Sequence, residues 1–260
     1  MEEKITEASI ARDLNTSFVG QRIIHRLKIP STMELARREV LEGAPEGTVI
    51  IADEQTAGKG RIERFWSSPK GCIALSIILY PKPDYLPSMI MVSSLAVMHT
   101  IKCVTGLRPK IKWPNDVLIN DKKVCGILVE SGVQGGESIY AIVGIGINVN
   151  LEATCLDEVS LTATSLSDEL GSQVSRLEIV RKLLREIERL YLSAQDGEAV
   201  YREWRQNLET LGRSVNAKSG NDLYEGVAES VEEDGSLMLR LRDGSLKRIV
   251  AGDVTLPQQI

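Results

Sequence analysis

The 260-residue sequence predicts a larger α/β (α+β) domain followed by a small all-β domain. Up to about residue 210, short apolar runs typical of buried strands alternate with segments of helical period. After Leu211-Gly212 the pattern changes to short alternating strands separated by hairpin turns. The turn pairs are Gly220-Asn221, Asp234-Gly235 and Asp243-Gly244. We therefore predict domains over residues 1–210 and 211–260, the second being an SH3-like barrel.

The first predicted helix begins at Ser31 or Thr32, since either hydroxyl can accept from a free backbone N–H of the first turn. Glu34 lies where a capping box has its acid, and Gly43 is a typical helix end. Residues 1–20 have no clear period and are expected to form only a lead-in.

The rest of this domain is predicted to contain both strands and helices. Apolar runs indicate the strands, and Asn120-Asp121 between two of them predicts a hairpin turn. The predicted strands are 48–52, 72–80, 111–113, 117–119, 124–130 and 139–148. The predicted helices are 88–105, 176–194 and 198–210, with a short helix inside 149–171.

Composition disfavours several classes of protein. A hydrophobic fraction of 43% is ample for a core, and the net charge of -5 disfavours a general nucleic-acid binder. The four cysteines lack CxxC spacing, which predicts no metal site, and Cys103 and Cys125 are expected in the core. Scattered cysteines without a signal peptide favour the cytoplasm. Apolar runs such as 73–80 are too short to span a membrane.

Residues 53–66 combine glycines with cations directly after a predicted buried strand. Glycine lets the backbone bend closely around a ligand, and cations at this spacing can point at one anion. The segment therefore predicts a loop that folds over a phosphate or a carboxylate. The glycines are Gly58 and Gly60, and the cations are Lys59, Arg61 and Arg64.

A second group lies in Lys112-Trp-Pro-Asn-Asp116 and the strand that follows. The hairpin predicted at Asn120-Asp121 would place Lys123 beside Asp116 across the strand pair. A lysine held in this way could stabilise the negative charge of a phosphate in a transition state. Taken alone, these residues are explained more simply by a surface ion pair on a hairpin.

The third group is Val143-Gly-Ile-Gly-Ile-Asn148. Glycines in a strand mark a bulge or the close approach of a ligand, although a tight sheet crossing also explains them. The Asn148 carboxamide can both donate and accept, as an adenine edge requires. The segment lacks the third glycine of the dinucleotide fingerprint, and the sequence has no Walker A motif. Any use of ATP would therefore not be through a P-loop.

Together these segments resemble the biotin protein ligases, which attach biotin to carboxylase carrier domains. Order and spacing agree from Ser31-Thr32 to the C-terminal segment. The other matching segments are Lys123-Val-Cys-Gly-Ile-Leu-Val-Glu130, Ala163-Thr-Ser-Leu166 and Ile249-Val-Ala-Gly-Asp-Val-Thr-Leu256. The resemblance implies a class II aminoacyl-tRNA synthetase-like catalytic domain followed by an SH3-like domain.

The resemblance also implies a reaction in two steps. The biotin carboxylate attacks the α-phosphate of ATP, giving biotinyl-5′-AMP and pyrophosphate, with Mg²⁺ accompanying ATP. A lysine of a biotin carboxyl carrier protein then attacks the mixed anhydride. The implied partner is this carrier domain, with no DNA and no membrane, and exposed apolar edge strands would allow a homodimer.

The resemblance assigns residues to each part of this chemistry. Lys123 would bridge the biotin carboxylate and the α-phosphate, and Asp116 would orient the carrier lysine. The residues implied to act in catalysis are Lys123, Asp116, Arg61 and Arg64. The residues implied to bind biotin are Ser31, Thr32, Met33, Gln55, Gly58, Lys59, Gly60, Arg61, Lys123, Gly126 and Gly144. The residues implied to bind ATP or the adenylate are Arg61, Arg64, Trp66, Lys112, Asn115, Lys123 and Asn148.

Four positions depart from the pattern of the family. Met33 stands in place of Asn, Lys59 in place of Arg, Glu63 in place of Gly and Pro257 in place of Arg. Lysine cannot make the forked contact of arginine, and Glu63 adds negative charge beside the phosphate site. We expect this chain to retain the adenylate less firmly than relatives with the full motif.

Other functions fit parts of the sequence. A lipoate or octanoate transferase shares the catalytic fold, but its Arg-Arg-x-x-Gly-Gly-Gly run and nearby His do not occur. A non-catalytic biotin sensor would not need Lys123, Asp116 or the arginines of the loop. The thirty residues before Ser31 leave no room for a winged helix-turn-helix, so a ligase without repressor function is expected.

Overall fold

The computed structural model describes residues 4–62, 64–134, 138–151, 162–194 and 198–255. These residues form a seven-stranded mixed sheet with helices on both faces and a five-stranded antiparallel sheet. The prediction of an α/β domain followed by a small all-β domain is confirmed. Glu63, Cys155 and Pro257 lie outside the described residues.

The larger sheet has the strand order β1-β2-β3-β7-β6-β5-β4. Its strands are β1 (Ile23–Arg26), β2 (Val49–Ala52), β3 (Ile73–Leu79), β4 (Lys110–Lys112), β5 (Asp116–Ile119), β6 (Lys122–Gln134) and β7 (Ser138–Ile147). β1 and β2 pair in parallel, and the other neighbours are antiparallel. The hairpin of β6 and β7 is longer than predicted, and the turn between β5 and β6 lies at Asn120-Asp121 as predicted.

Helices cover both faces of this sheet because the central strands are apolar on both sides. Val49 and Ile51 belong to the core beneath the long helices, whereas Ile50 belongs to a second core beneath α2. The helices are α1 (Glu7–Ala11), α2 (Thr32–Leu41), α3 (Ser88–Thr105), α4 (Leu166–Leu170), α5 (Arg176–Ala194) and α6 (Glu198–Gln206).

Helix α3 is the one described helix whose length and mean hydropathy would allow it to cross a membrane. It packs against α5 and α6, and Met89, Leu95 and Ile101 are fully buried. Burial between the sheet and two other helices accounts for its apolar composition.

The prediction that residues 1–20 form only a lead-in is wrong. Thr6 and Ser9 form a reciprocal capping box that starts α1, and Ile10 is fully buried. With five residues, α1 is too short for a helical period to be visible in the sequence. Strand β1 was also not predicted, because His25 and Arg26 interrupt its apolar pattern.

Two smaller predictions also need correction. Cys103 is exposed on α3, whereas Cys125 is buried as expected. Helix α6 ends at Gln206, not near residue 210, because the next residues hydrogen-bond to β4. Ile111 N donates to Asn207 O at 3.0 Å, and Glu209 N donates to Ile111 O at 2.8 Å.

The five-stranded sheet has the order β11-β10-β9-β8-β12. Its strands are β8 (Ser214–Ser219), β9 (Asp222–Val231), β10 (Leu237–Leu241), β11 (Leu246–Ile249) and β12 (Asp253–Thr255). The predicted turn glycines Gly220, Gly235 and Gly244 have φ of 60°, 82° and 83°, a conformation that favours glycine. Trp113 Nε1 donates to Gly235 O at 2.8 Å, which joins this sheet to the end of β4.

Candidate active site

A cavity of about 690 Å³ lies between the larger sheet, the segment after β2 and the start of β12. It gathers most of the residues that the sequence predicted for the site. The predicted residues that line it are Thr32, Met33, Gln55, Lys59, Gly60, Arg61, Arg64, Trp66, Asn115, Asp116, Lys123, Gly126, Gly144 and Asn148. Of the described residues, Ser31, Gly58 and Lys112 were also predicted but lie outside its lining.

Glycines of β6 and β7 make room for the side chains that line the cavity. A Cβ on Gly144 would lie 2.6 Å from Met33 Sδ, and a Cβ on Gly146 would lie 2.3 Å from Trp66 Nε1. A Cβ on Gly126 would lie 2.9 Å from the same indole. The Gly-Ile-Gly run of β7 is therefore explained by the close approach of Met33 and Trp66 to the sheet.

A neutral hydrogen-bond network forms one end of the cavity. Thr32 N donates to Gln55 Oε1 at 2.8 Å, and Gln55 Nε2 donates to Ser68 Oγ at 3.0 Å. Ser76 Oγ donates to Thr32 Oγ1 at 2.8 Å from the neighbouring strand β3. These bonds fix the orientation of the Gln55 carboxamide. The two serines, Ser68 bound to Gln55 and Ser76 bound to Thr32, were not predicted from the sequence.

Ser31 is the N-cap of α2, but its hydroxyl does not cap the helix. The residue is 1% exposed, and among the described residues its Oγ has no hydrogen-bond partner. A buried hydroxyl without a partner is costly, so this atom is available to a polar group from outside the chain.

The cavity is covered by a short hairpin, residues 58–62 and 64–66, which we call the tongue. Trp66 N donates to Gly58 O at 2.9 Å, and Gly60 N donates to Arg64 O at 2.7 Å. A Cβ on Gly58 would lie 2.3 Å from Trp66 O, so only glycine allows this close crossing. Gly58 thus shapes the tongue itself, although it does not line the cavity.

Cations of the tongue are held by carboxylates and carbonyls of other elements. Lys59 Nζ lies 2.8 Å from Glu34 Oε1 of α2. Arg61 donates to Asn115 Oδ1 and to Gly252 O, both at 2.9 Å, and lies 3.3 Å from Asp253 Oδ1. Arg64 also binds Asp253. The tongue therefore joins both sheets across the cavity.

Lys123 and Asp116 form an ion pair with 2.6 Å between Nζ and Oδ1. Their predicted proximity across β5 and β6 is confirmed. Lys123 Nζ also lies 5.3 Å from the Trp66 ring centroid, within reach of a cation–π interaction. The two side chains are 33% and 18% exposed and line the cavity, so this is not a surface ion pair on a hairpin.

Burial and neighbouring charges perturb two cations near this pair. Burial lowers the pKa of Lys112, while the charge of Asp116 opposes that change. Burial also lowers the pKa of Arg61, and the charge of Asp253 opposes it. The carboxylates therefore favour the charged forms of the lysine and arginine in a partly dehydrated environment.

Asn148 lies at the other end of the cavity and is 2% exposed. Its Nδ2 donates to Thr164 O at 3.0 Å, and Leu166 N donates to its backbone oxygen at 3.0 Å. The segment Ala163-Thr-Ser-Leu166 is thereby joined to the end of β7. These bonds fix the position of Asn148. One of the two N–H donors of its carboxamide is already bound to Thr164 O.

The sequence and the structure of this chain are similar to those of known protein families. Residues 25–148 match the biotin/lipoate A/B protein ligase family, and residues 210–256 match the biotin protein ligase C terminal domain. The chain is 34% identical over 259 residues to the bifunctional ligase/repressor BirA of Bacillus spizizenii, covering 97% of this chain and 79% of that protein. This chain belongs to the biotin protein ligase family.

Another biotin protein ligase is the biotin--[acetyl-CoA-carboxylase] ligase of Paracoccus denitrificans, 31% identical over 199 residues. That match covers 74% of this chain and 83% of the relative. The biotin protein ligase from Aquifex aeolicus, solved in complex with biotin and ATP, superposes with a TM-score of 0.79 at 28% identity. It covers 92% of this chain and 100% of that chain, so the two-domain fold is that of biotin protein ligases.

Asp253 is the main residue of this ligase site that the sequence did not indicate. It belongs to β12 of the second sheet yet binds Arg61 and Arg64 of the tongue, 189 or more positions away in the sequence. The segment 249–256 was recognised only as the closing strand of the barrel. Nothing in the local sequence places that strand beside the cavity, so only the docking of the two sheets could reveal this contact.

Proposed function

We propose that this chain activates biotin with ATP to form biotinyl-5′-AMP and then transfers biotin to a lysine of a biotin carboxyl carrier domain. The supporting observation is one cavity whose lining holds a neutral polar group, Thr32 with Gln55, and a cationic group, Lys123 with Arg61 and Arg64. We call these two groups its neutral end and its cationic end. Such a cavity suits a ligand that is neutral and ring-shaped at one end and anionic at the other. Membership of the biotin protein ligase family supports the same function.

The neutral end would hold the ring system of biotin. Thr32 and Gln55 offer hydroxyl and carboxamide groups that can bond a urea-like ring, and Ser31 Oγ is a further candidate. Met33 packs against Gly144 and supplies an apolar wall beside them. A few polar groups in an otherwise apolar pocket would fix the orientation of the ring.

The cationic end would serve the first chemical step. A biotin carboxylate oxygen attacks the α-phosphorus of ATP, and the bond from that phosphorus to the pyrophosphate oxygen breaks. Lys123 would stabilise charge on the carboxylate and the α-phosphate, and the guanidinium groups of Arg61 and Arg64 would bind phosphate oxygens. ATP would enter as its Mg²⁺ complex, with the ion held by phosphate oxygens as part of the substrate.

Asp116 would act in the second step. The amine of the carrier lysine attacks the carbonyl carbon of biotinyl-5′-AMP, an amide bond forms and AMP leaves. A carboxylate at the cavity wall can orient this amine and accept its proton. The ion pair with Lys123 holds Asp116 in place for this role, with 2.6 Å between the two charged groups.

Several finer points belong to the same proposal. We place the boundary between the domains near residue 210, where Thr210 Oγ1 accepts from Trp113 N at 2.9 Å before β8 begins.

A homodimer could form through a sheet edge, since Leu27, just after edge strand β1, is 74% exposed. A cytoplasmic location fits the use of ATP and the free thiols of Cys72, Cys103 and Cys125.

Biotin-dependent exchange between ATP and labelled pyrophosphate tests the first step. We expect exchange in the wild type and a loss of at least about 100-fold in Lys123→Ala. Lys122→Ala is the matched control, because Lys122 neighbours Lys123 on β6 but does not line the cavity. Biotin binding without exchange in the wild type would favour a sensor, and full exchange in Lys123→Ala would refute the role of Lys123.

A further inference from the structure

The tongue is held over the cavity from two sides. On one side Lys59 pairs with Glu34, which lies in the first turn of α2. On the other side Arg61 and Arg64 pair with Asp253 of β12. Each contact joins the tongue to an element that lies outside it, so both contacts favour its closed position.

A nucleotide would affect these two contacts differently. Arg61 and Arg64 are the groups proposed to bind phosphate, so phosphate oxygens compete with Asp253 for them. Glu34 does not belong to the cavity lining formed by the described residues. The Glu34 carboxylate therefore lies outside the space that a ligand fills. The ion pair between Glu34 and Lys59 can persist when Arg61 and Arg64 turn toward phosphate.

We propose that Glu34 is a positioning residue that keeps the tongue closed over biotinyl-5′-AMP by holding Lys59. This inference rests on the proposed function for the identity of the ligand. Glu34 touches no reacting atom, and it acts only through the ammonium group of Lys59.

The charges around Glu34 support a persistent contact. The hydrogen bond from Lys59 lowers the pKa of the Glu34 carboxyl, and the charges of Arg37 and Arg38 lower it further. The carboxylate is therefore charged at neutral pH. An acid in the first turn of a helix is also favoured by the helix dipole, which stabilises the charged form of Glu34 on α2.

The size of the effect follows from the exposure of the pair. The side chains of Lys59 and Glu34 are 41% and 36% exposed, so solvent screens their attraction. Pairs of this kind have small effects, and loss of this one should change the opening equilibrium about two- to fivefold.

Glu34→Gln tests the inference because it removes the charge and keeps the shape. We expect biotinyl-5′-AMP to be released about two- to fivefold faster than from the wild type. In protein without ligands, we expect trypsin to cleave after Lys59, Arg61 and Arg64 faster by a similar factor. The thermal unfolding midpoint should stay unchanged, which separates opening of the tongue from loss of the fold.

Glu229→Gln is the matched control. It removes the ion pair between Arg240 of β10 and Glu229 of β9, whose side chains are 40% and 43% exposed and belong to the second sheet, not to α2. Its release and cleavage rates should equal those of the wild type. Glu34→Lys should release the adenylate faster than Glu34→Gln, because two ammonium groups would then face each other.

Equal release and cleavage rates in the wild type and Glu34→Gln would overturn the inference. Release from Glu34→Lys that is no faster than from Glu34→Gln would overturn it as well, since the contact would not act through charge. If the wild type formed no biotinyl-5′-AMP, the proposed function would fail instead. The cleavage rates of the ligand-free protein would still decide whether Glu34 holds the tongue.

Discussion

At the scale of single residues, the site depends on glycines that leave space for particular side chains. Gly144 faces Met33 and Gly146 faces Trp66, at distances that no Cβ could tolerate without movement of its neighbour. The departure of Met33 from the family pattern therefore matters for packing, since its sulfur lies against β7 where biotin is proposed to bind.

Gly144→Ala should weaken biotin binding by about 1–3 kcal/mol, because the new methyl group displaces Met33 into the pocket. The KM for ATP should change much less, because Met33 packs against Gly144, whereas the arginines proposed to bind phosphate contact Asn115 and Asp253. Titration calorimetry with biotin measures the effect. Adding Met33→Ala to this variant should restore part of the affinity, and a failure to do so would show that Met33 is not the displaced group.

Asp116→Asn separates the two chemical steps. The amide cannot accept the proton of the carrier amine, so transfer to the carrier should slow by about 100-fold or more. Pyrophosphate exchange should fall less, because Lys123 keeps its charge. Single-turnover transfer from preformed biotinyl-5′-AMP measures the second step alone, and an unchanged transfer rate would remove Asp116 from the mechanism.

At the scale of elements, the tongue is the part of the site that charge contacts to two other elements hold in position. Its backbone is set by Gly58 and by the pairing of Gly60 with Arg64, whereas its position is set by charge contacts to α2 and β12. Ion pairs with this much exposure are individually weak, so the tongue is held by several contacts together.

Lys59→Arg combined with Glu63→Gly should slow the release of biotinyl-5′-AMP. The arginine gains a forked donor, and the glycine removes the negative charge that the resemblance to the family predicts beside the phosphate site. Stopped-flow measurement of adenylate release compares this variant with the wild type. An unchanged release rate would mean that these two departures from the family pattern have no effect on retention.

At the scale of the whole molecule, the second sheet contributes directly to the cavity. Asp253 and Gly252 bind arginines of the tongue, and Trp113 and Tyr201 hold the sheet in position by hydrogen bonds to its backbone carbonyls. The small domain is thus a part of the site, and its docking determines where the tongue can rest.

Tyr201→Phe removes one of these docking bonds, in which the hydroxyl donates to Val231 O at 2.7 Å. The free energy of unfolding should fall by about 1 kcal/mol. Urea denaturation followed by circular dichroism measures the change. Tyr224→Phe is the control, because its hydroxyl bonds only an exposed Asp222 within the same strand among the described residues, and it should leave stability unchanged.

The sequence predicted those parts of the fold that depend on local patterns. Helix α3 was predicted with its observed limits because a long apolar period ends at Gly106, and the turns of the second sheet have glycine at positive φ. Helix α1 could not be predicted from local sequence. One capping box stabilises it, and so does the burial of Ile10 in a core whose other residues are far away in the sequence.

The same distinction applies to the site. The proximity of Lys123 to Asp116 could be predicted from the hairpin turn at Asn120-Asp121. The register shift that sets Asp116 opposite Gly126 and Lys123 opposite Leu118 could not. The contacts of Glu34 and Asp253 with the tongue could not, because each depends on how separate elements pack around the cavity. Cys103 was assigned to the core from apolar neighbours, but it lies on the exposed side of α3.

The most direct test of the proposed function is the mass of a biotin carboxyl carrier domain after incubation with this protein, biotin, ATP and Mg²⁺. We expect the carrier to gain the mass of biotin less one water, at a single lysine, and only when ATP is present. A carrier of unchanged mass, together with measurable binding of biotin by the protein, would contradict the assignment as a ligase.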